Sequence, residues 1–257
     1  RQSAQNRAAT KTQPSLVVSC CPMHTQIDHL VIVAKTLEQG VQWCEDTLGI
    51  TPGPGGEHTL YGTHNRLFKI ASPANPMAYC EIIAINPAAV RPKRACPTRW
   101  FDMDNPALQK AVAKEPRLVH FVVNTPDIRA ARMAIRMQGI DRGPAVHASR
   151  KTNRGTLNWQ ISVRADGQRL FDGCMPTLIQ WGKPDATDPL KLHPRNTLTR
   201  SGVTLQSIEV THPSAEKLQG AFDAIELKRV AITEGPANLK ATLQTPKGLI
   251  VLSSNGL

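Results

Sequence analysis

The sequence is poor in aromatic residues: phenylalanine, tryptophan and tyrosine make up 4% of its 257 residues. Together with 20 prolines, that scarcity argues against a helical bundle and for a loop-rich α+β chain. No apolar run is long enough to span a bilayer, so a soluble protein with no membrane partner is expected. The six cysteines include no CxxC pair and no zinc-ligand spacing. Cys44 and Cys80 fall in a predicted helix and a predicted strand, where small buried thiols are ordinary, and the pattern fits a reducing, cytoplasmic compartment. Gly53, Gly55 and Gly56 do not precede a helix, which excludes a phosphate loop, and no nucleotide cofactor is expected.

Acidic residues are absent from the first 22 positions, which hold Arg1, Arg7 and Lys11 of a net charge of +11. More cations cluster in "RPKRACPTR", from Arg91 to Arg99. No nucleic-acid motif accompanies them, so the excess reads as a solvated basic surface that favours anionic ligands, and no nucleic-acid partner is expected. Residues 1–23 are polar and aperiodic until "LVVSC", which is too short for a signal-peptide core. They are expected to be a tail, with Met23 a candidate natural start.

What the chain does contain is a repeat. "IDHLVIVA" reads as a strand, and the following "KTLEQGVQWCEDTLGI" as a helix with a Thr36/Gln39 capping box. Leu37, Val41, Cys44 and Leu48 share one helical face, and Gly49 is a natural stop. "HTLYGT", "NRLFKI" and "AYCEIIAI" follow as three strands, giving the order β-α-β-β-β. The order returns with "LVHFVVN", a helix capped by Thr125 with Pro126 at its first position, an obscure strand near "PAVHAS", then "TLNWQISVR" and "PTLIQWG". It returns again from "LQSIEVT" through "SAEKLQGAFDAIEL", "RVAIT", "NLKATLQT" and "LIVLSS". The stretch "NPAAVRPKRACPTRWFDMDNPALQKAVAKEP" joins the first two copies, with a short helix near its end. "KPDATDPLKLHPRN" reads as a linker before the third.

The first strands of the first two copies carry a histidine at matching points, His29 and His120, where the third has Ser207. In a strand, residues two apart share a face, so His29 faces with Val31 and Val33. On the last strand Glu81 faces with Tyr79 and Ile83, and Gln180 is taken as its counterpart in the second copy. The last strand of the third copy offers only Leu249, Ile250, Val251 and Leu252. Each residue also has an ordinary reading. A strand-end histidine is commonly a hydrogen-bonded structural residue, Glu81 could pair with an arginine, and Gln180 could be a satisfied polar group. His58, His64 and Asn65 in "GGEHTLYGTHNRL" could build a turn or touch substrate. Arg99, Trp100, Phe101 and Trp159 could line a pocket or simply pack.

Two βαβββ units with a polar residue on the first and last strand of each resemble the vicinal oxygen chelate superfamily. More narrowly, "IDHLVIVAKTLEQGVQWCEDTLGI", "GGEHTLYGTHNRLFKI", "YCEIIAINP", "CPTRWF" and "TLIQWG" resemble bacterial glyoxalase-like domain proteins. The resemblance implies a glyoxalase-like domain of two paired modules over residues 24–186, with a linker and a third, ligand-free module over residues 187–257 packed on them. It implies a divalent metal (Fe, Mn, Ni, Co or Zn) held by His29, Glu81, His120 and Gln180 in a cupped sheet. Glu81, His58 and His64 are the candidate catalytic groups, and Asn65, Arg99, Trp100 and Trp159 the candidate substrate contacts. The implied activity is of lyase, isomerase or dioxygenase type on a small oxygenated, anionic metabolite. Gln180 departs from the second carboxylate of glyoxalase I and cannot act as a base. The alternative is a metal-free binding or resistance-type protein using the same cup. An odd third unit has no partner within the chain, which points to a homodimer.

Overall fold

The computed structural model describes residues 24–92, 96–183 and 186–257. The expected tail over residues 1–23 and the middle of "RPKRACPTR" lie outside them. The first unit runs β1 (Gln26–Val33), α1 (Leu37–Trp43), β2 (Gly53–His58), β3 (Thr63–Lys69) and β4 (Tyr79–Ile85). Thr36 caps α1, its hydroxyl accepting from the Gln39 amide at 3.2 Å, and Gln39 Oε1 accepts from the Lys35 amide at 2.7 Å. The helix widens to a π turn over Cys44–Leu48 and stops at Gly49, whose φ is 75°. Gly40, rather than Val41, lies on the packed face: a Cβ there would sit 2.3 Å from Ile82 Cγ2, so α1 rests directly on β4.

"HTLYGT" is not a strand. Most of it turns the chain, and the second strand is instead "GPGGEH". Glycine is required there by crowding rather than by turn geometry. A Cβ on Gly55 would lie 2.2 Å from the Asn65 carbonyl oxygen of β3.

The second unit runs from α2 (Pro106–Val112), in the connection, through β5 (Arg117–Asn124), α3 (Ile128–Met137), β6 (Ala145–Thr152), β7 (Gly155–Ser162) and β8 (Thr177–Trp181). Asp127 caps α3, accepting from the Ala130 amide at 2.9 Å, and displaces the expected Thr125.

These strands make one eight-stranded sheet in the order β2-β3-β4-β1-β5-β8-β7-β6. β1 runs parallel to β4, β5 parallel to β8, and β1 and β5 pair antiparallel at the centre. The outermost strands then approach each other, since a Cβ on Gly56 of β2 would lie 2.1 Å from Arg150 Nη1 of β6. The sheet is therefore a cup. Val31, Val33, Ile83, Trp100, Trp159 and Trp181 fill its concave side, and Leu30, Ile32 and Phe121 face the helices on its convex side.

The remainder comprises α4 (Pro194–Thr197), β9 (Thr204–Thr211), α5 (Ala215–Ala224), β10 (Val230–Thr233), β11 (Asn238–Thr245) and β12 (Gly248–Ser253). Its element types follow the repeat, but its sheet is ordered β10-β9-β11-β12. The strand after the helix, not the last strand, pairs parallel with the first, so the wiring differs from that of the other two units. Leu205, Ile208, Leu218, Phe222 and Leu239 join the convex core, where Phe222 meets Phe121 edge-on at 6.4 Å. Among the described residues no helix is long and apolar enough to cross a membrane.

Candidate functional site

The two central strands share an irregularity that shapes the site. Ile27 opposes Val123 and His29 opposes Val122, so Asp28 is an extra residue on β1. Val31 opposes His120 and Ile32 opposes Leu118, so Val119 is the extra residue on β5. Each bulge sits immediately before the histidine. A bulge breaks the alternation of faces, and here it brings Asp28 to the same side as His29.

Asp28 is fully buried and accepts four hydrogen bonds. His29 Nδ1 lies at 2.7 Å, Trp181 Nε1 at 2.8 Å, His193 Nε2 at 3.0 Å and Asn124 Nδ2 at 3.2 Å. Burial alone would push this carboxyl up, but its interactions with His193 and His29 outweigh that and hold it well below the usual carboxylate range. An ionised carboxylate only accepts, so His29 donates through Nδ1 and presents Nε2 to the cup. The Tyr79 ring stacks on His29 at 4.6 Å and fixes its plane.

Facing His29 Nε2, at 3.7 Å, is Glu81 Oε2. The other oxygen, Oε1, accepts from Asn65 Nδ2 at 2.5 Å and lies 3.8 Å from His58 Nε2. Asn65 is oriented by the Gly56 amide, which donates to its Oδ1 at 2.7 Å. His58 is bonded to Thr63 Oγ1 at 3.1 Å and meets the Trp100 ring edge-on at 4.8 Å. Burial pushes His58 down to about 4 despite the attraction of Glu81, so it is neutral at pH 7. His29, His58, Tyr79, Glu81, Trp100 and Trp159 border a cavity of about 40 Å³ at the bottom of the cup.

The second copy does not repeat this chemistry. His120 is buried with both ring nitrogens engaged, Nδ1 on the Gly173 carbonyl at 2.9 Å and Nε2 on Thr177 Oγ1 at 2.9 Å. Burial, with Arg142 and Arg169 nearby, holds it well below the usual histidine range. The residue that corresponds to Glu81 is Thr177, because Val31 opposes Glu81 as Val122 opposes Thr177. Gln180 is three residues further along, an odd step, and faces out of the cup. Its Oε1 accepts from the Ile128 amide at the start of α3 at 2.9 Å. Val119, His120 and Thr177 thus stand where the first copy has Asp28, His29 and Glu81.

Of the implied metal ligands, then, only His29 and Glu81 turn donor atoms to a common space. Among the described residues no three His, Cys, Asp or Glu side chains form a group that could hold a metal ion. The four-ligand set does not fit. His64 lies on the face of β3 opposite Asn65 and does not reach Glu81; burial lowers its basicity. Arg99 is ion-paired to Asp104 at 2.5 Å and does not border the cavity, whereas Trp100, Trp159 and Asn65 do cluster around His58 and Glu81. Trp100 is held by stacking on Tyr61 at 4.1 Å.

Sequence reasoning missed Asp28, Thr177, Trp181, Arg150 and His193. From the stretch read as a linker, Leu192 and Pro194 border the cup, and His193, fully buried, meets Trp181 edge-on at 4.9 Å. The Asp-His pair in "IDHLV" and the lone histidine of "KLHPRN" were the available signals.

Residues 27–225 match the family described as glyoxalase-like domain. The chain belongs to that family. As a glyoxalase-like protein it is a member of the vicinal oxygen chelate superfamily, and the cupped sheet is the architecture of that superfamily. Among solved structures, a hypothetical protein from Staphylococcus aureus is similar at 15% identity, over 83% of this chain and 87% of that one, with a TM-score of 0.55. This glyoxalase-like fold also matches a methylmalonyl-CoA epimerase from Streptomyces coelicolor at 17% identity, over 61% of this chain and 94% of that one, with a TM-score of 0.37. The methylmalonyl-CoA epimerase from Mycobacterium tuberculosis matches at 17% identity, over 60% and 85%, with a TM-score of 0.34. No curated protein matches the sequence.

Proposed function

We propose that this glyoxalase-like protein is an enzyme of isomerase or lyase type that moves a proton on a small oxygenated, anionic metabolite held in the cup. The observation that carries the reading is the buried Glu81 carboxylate opposite His29 Nε2, with the far side of His29 anchored on Asp28. Glu81 is the group to take a proton from a carbon next to a carbonyl. Oε1 is tied to Asn65, so Oε2 is the basic oxygen. His29 stands to receive that proton across the 3.7 Å gap, through a substrate oxygen or one water, and to return it to another position of the substrate or to its leaving group. Asp28 accepts from Nδ1 and so keeps Nε2 turned to the cup. The tryptophans and the segment around His193 exclude bulk water, which strengthens each of these interactions. The dioxygenase reading depends on a ligand set that does not converge.

A second reading, a binding protein without catalysis, is favoured by the second copy, in which both positions equivalent to the carboxylates are uncharged. The two are separated by solvent exchange. The protein is incubated in D2O with a panel of enolisable carboxylates and phosphorylated ketones, and loss of the C–H signal is followed by proton NMR, with metal content of tag-free protein measured in parallel. Exchange that disappears in Glu81→Gln supports the enzyme. Equal exchange in that variant refutes Glu81 as the base, and binding without exchange favours the second reading.

A further inference from the structure

The inner cavity shares Leu67, Arg150, Leu157 and Pro194 with a larger neighbouring cleft of about 680 Å³. Its walls come from the start of β2, the β6–β7 hairpin and the segment from Leu192 to Ser201. Three cations line it, Arg150, Arg154 and Arg200, and no aspartate or glutamate does. The arginine ion pairs among the described residues are made by Arg99, Arg117, Arg164 and Arg169, so these three are left without a carboxylate. Like charges gathered around one cleft repel, and a bound anion relieves that repulsion.

Arg150 borders both spaces. Its guanidinium passes over Gly56, where any side chain would collide with it, since a Cβ there would lie 2.1 Å from Nη1. The glycine of β2 thus makes room for a cation at the junction of cleft and cavity. The two spaces differ in capacity. The inner one, about 40 Å³, accommodates about three water-sized atoms. Any larger ligand must have most of its atoms in the outer cleft. Charge sets the direction of binding. Glu81 at the bottom of the cup repels an anion, and the arginines at the mouth attract one.

We infer that the outer cleft is an anion subsite for the same ligand: the metabolite carries a multiply charged oxyanion tail, held by Arg150, Arg154 and Arg200, and an uncharged oxygenated head that enters the inner cavity beside Glu81. The role of the head rests on the proton-transfer reading above; the tail subsite does not. Planar guanidinium groups bind phosphate and carboxylate oxygens in paired hydrogen bonds, so a phosphate ester and a polycarboxylate share the required chemistry.

Titration calorimetry on the full chain tests this, with pyrophosphate and citrate as probes at constant ionic strength and chloride as the background anion. The variants are Arg154→Gln, Arg200→Gln, their double mutant, Lys151→Gln and Glu81→Gln. Both arginines are exposed, so folding is not at stake. Lys151 is an exposed cation of the same hairpin that does not line the cleft. Saturable binding of one probe is expected, weakened about tenfold by each arginine substitution and about a hundredfold by both. Lys151→Gln should change it less than about twofold. Tighter binding of pyrophosphate assigns the tail to a phosphate ester, and tighter binding of citrate to a polycarboxylate. Lack of saturable binding by either probe, or an equal loss in Lys151→Gln, overturns the inference. Glu81→Gln removes a repelling charge, so it should bind the probe at least as tightly as the parent. If the probes bind but no substrate exchanges its proton, the proton-transfer reading fails and the subsite stands.

Discussion

Replacing Asp28 by asparagine keeps the size of the side chain and removes its charge and half of its accepting capacity. The carboxylate now serves His29, Trp181, His193 and Asn124 at 2.7–3.2 Å. All four are donors, and an amide nitrogen facing any of them is a donor against a donor. Oδ2 takes three of the bonds, so the amide oxygen belongs there and the nitrogen falls opposite His29 Nδ1. His29 must then move its proton to Nε2 or lose its anchor. Breaking one member of a buried charged network costs about 3–5 kcal/mol, a large share of the 5–15 kcal/mol that stabilises a typical protein. In a chain of this size that lowers the melting temperature by roughly 10 °C. Urea denaturation measures the cost, and nitrogen NMR of the histidine rings reads the tautomer. Proton exchange on any substrate should fall at the same time, because Nε2 would meet Glu81 with a hydrogen instead of a lone pair. A loss below about 1 kcal/mol, with the His29 tautomer unchanged, would refute the account of Asp28 as the group that orients His29.

His58 takes a proton near 6.5 when unfolded but near 4 in place, so the unfolded chain gains protons first and stability falls between those values as pH drops. This residue alone should cost about 2 kcal/mol at pH 5 relative to pH 8, and denaturation of His58→Gln should lack that slope. The depressed Asp28 works over a lower window: its contribution is present above the unfolded carboxylate range and fades only as pH falls below it. Gly55→Ala should destabilise by about 1–3 kcal/mol, because the new methyl meets Asn65 backbone, while Gly53→Ala, with 3.3 Å to the Leu67 carbonyl, should be far milder; thermal melts of the pair compare them. Phe222→Ala should cost about 3–5 kcal/mol in urea denaturation if the third unit shares the convex core, and a cost under about 1 kcal/mol would mean that the unit is only loosely attached.

The repeat was legible because its signals are local. Thr36, Gln39 and Gly49 mark the ends of α1 from sequence alone, and alternation along "IDHLVIVA" and "YCEIIAI" puts His29 and Glu81 on one face. What failed depends on contacts between distant strands. "GPGGEH" shows no strand pattern until Asn65 and Arg150 are seen pressed against its glycines. Gln180 was matched to Glu81 by chemical likeness, whereas the pairing of strands selects Thr177. Asp28 escaped because period-two reasoning assigns neighbours to opposite faces, and a bulge suspends that rule. His193 lies in a segment with no periodicity at all, and its burial follows only from where that segment packs.

The paired bulges before His29 and His120 also set a number. A duplicated unit supplies two equivalent sets of positions to the shared cup. Here the second has Val119 for Asp28 and Thr177 for Glu81, and its histidine is consumed by internal bonds. On the proposed reading one ligand per chain is therefore expected, bound beside the copy that carries the charges, with the other copy a rigid template that holds the first in shape.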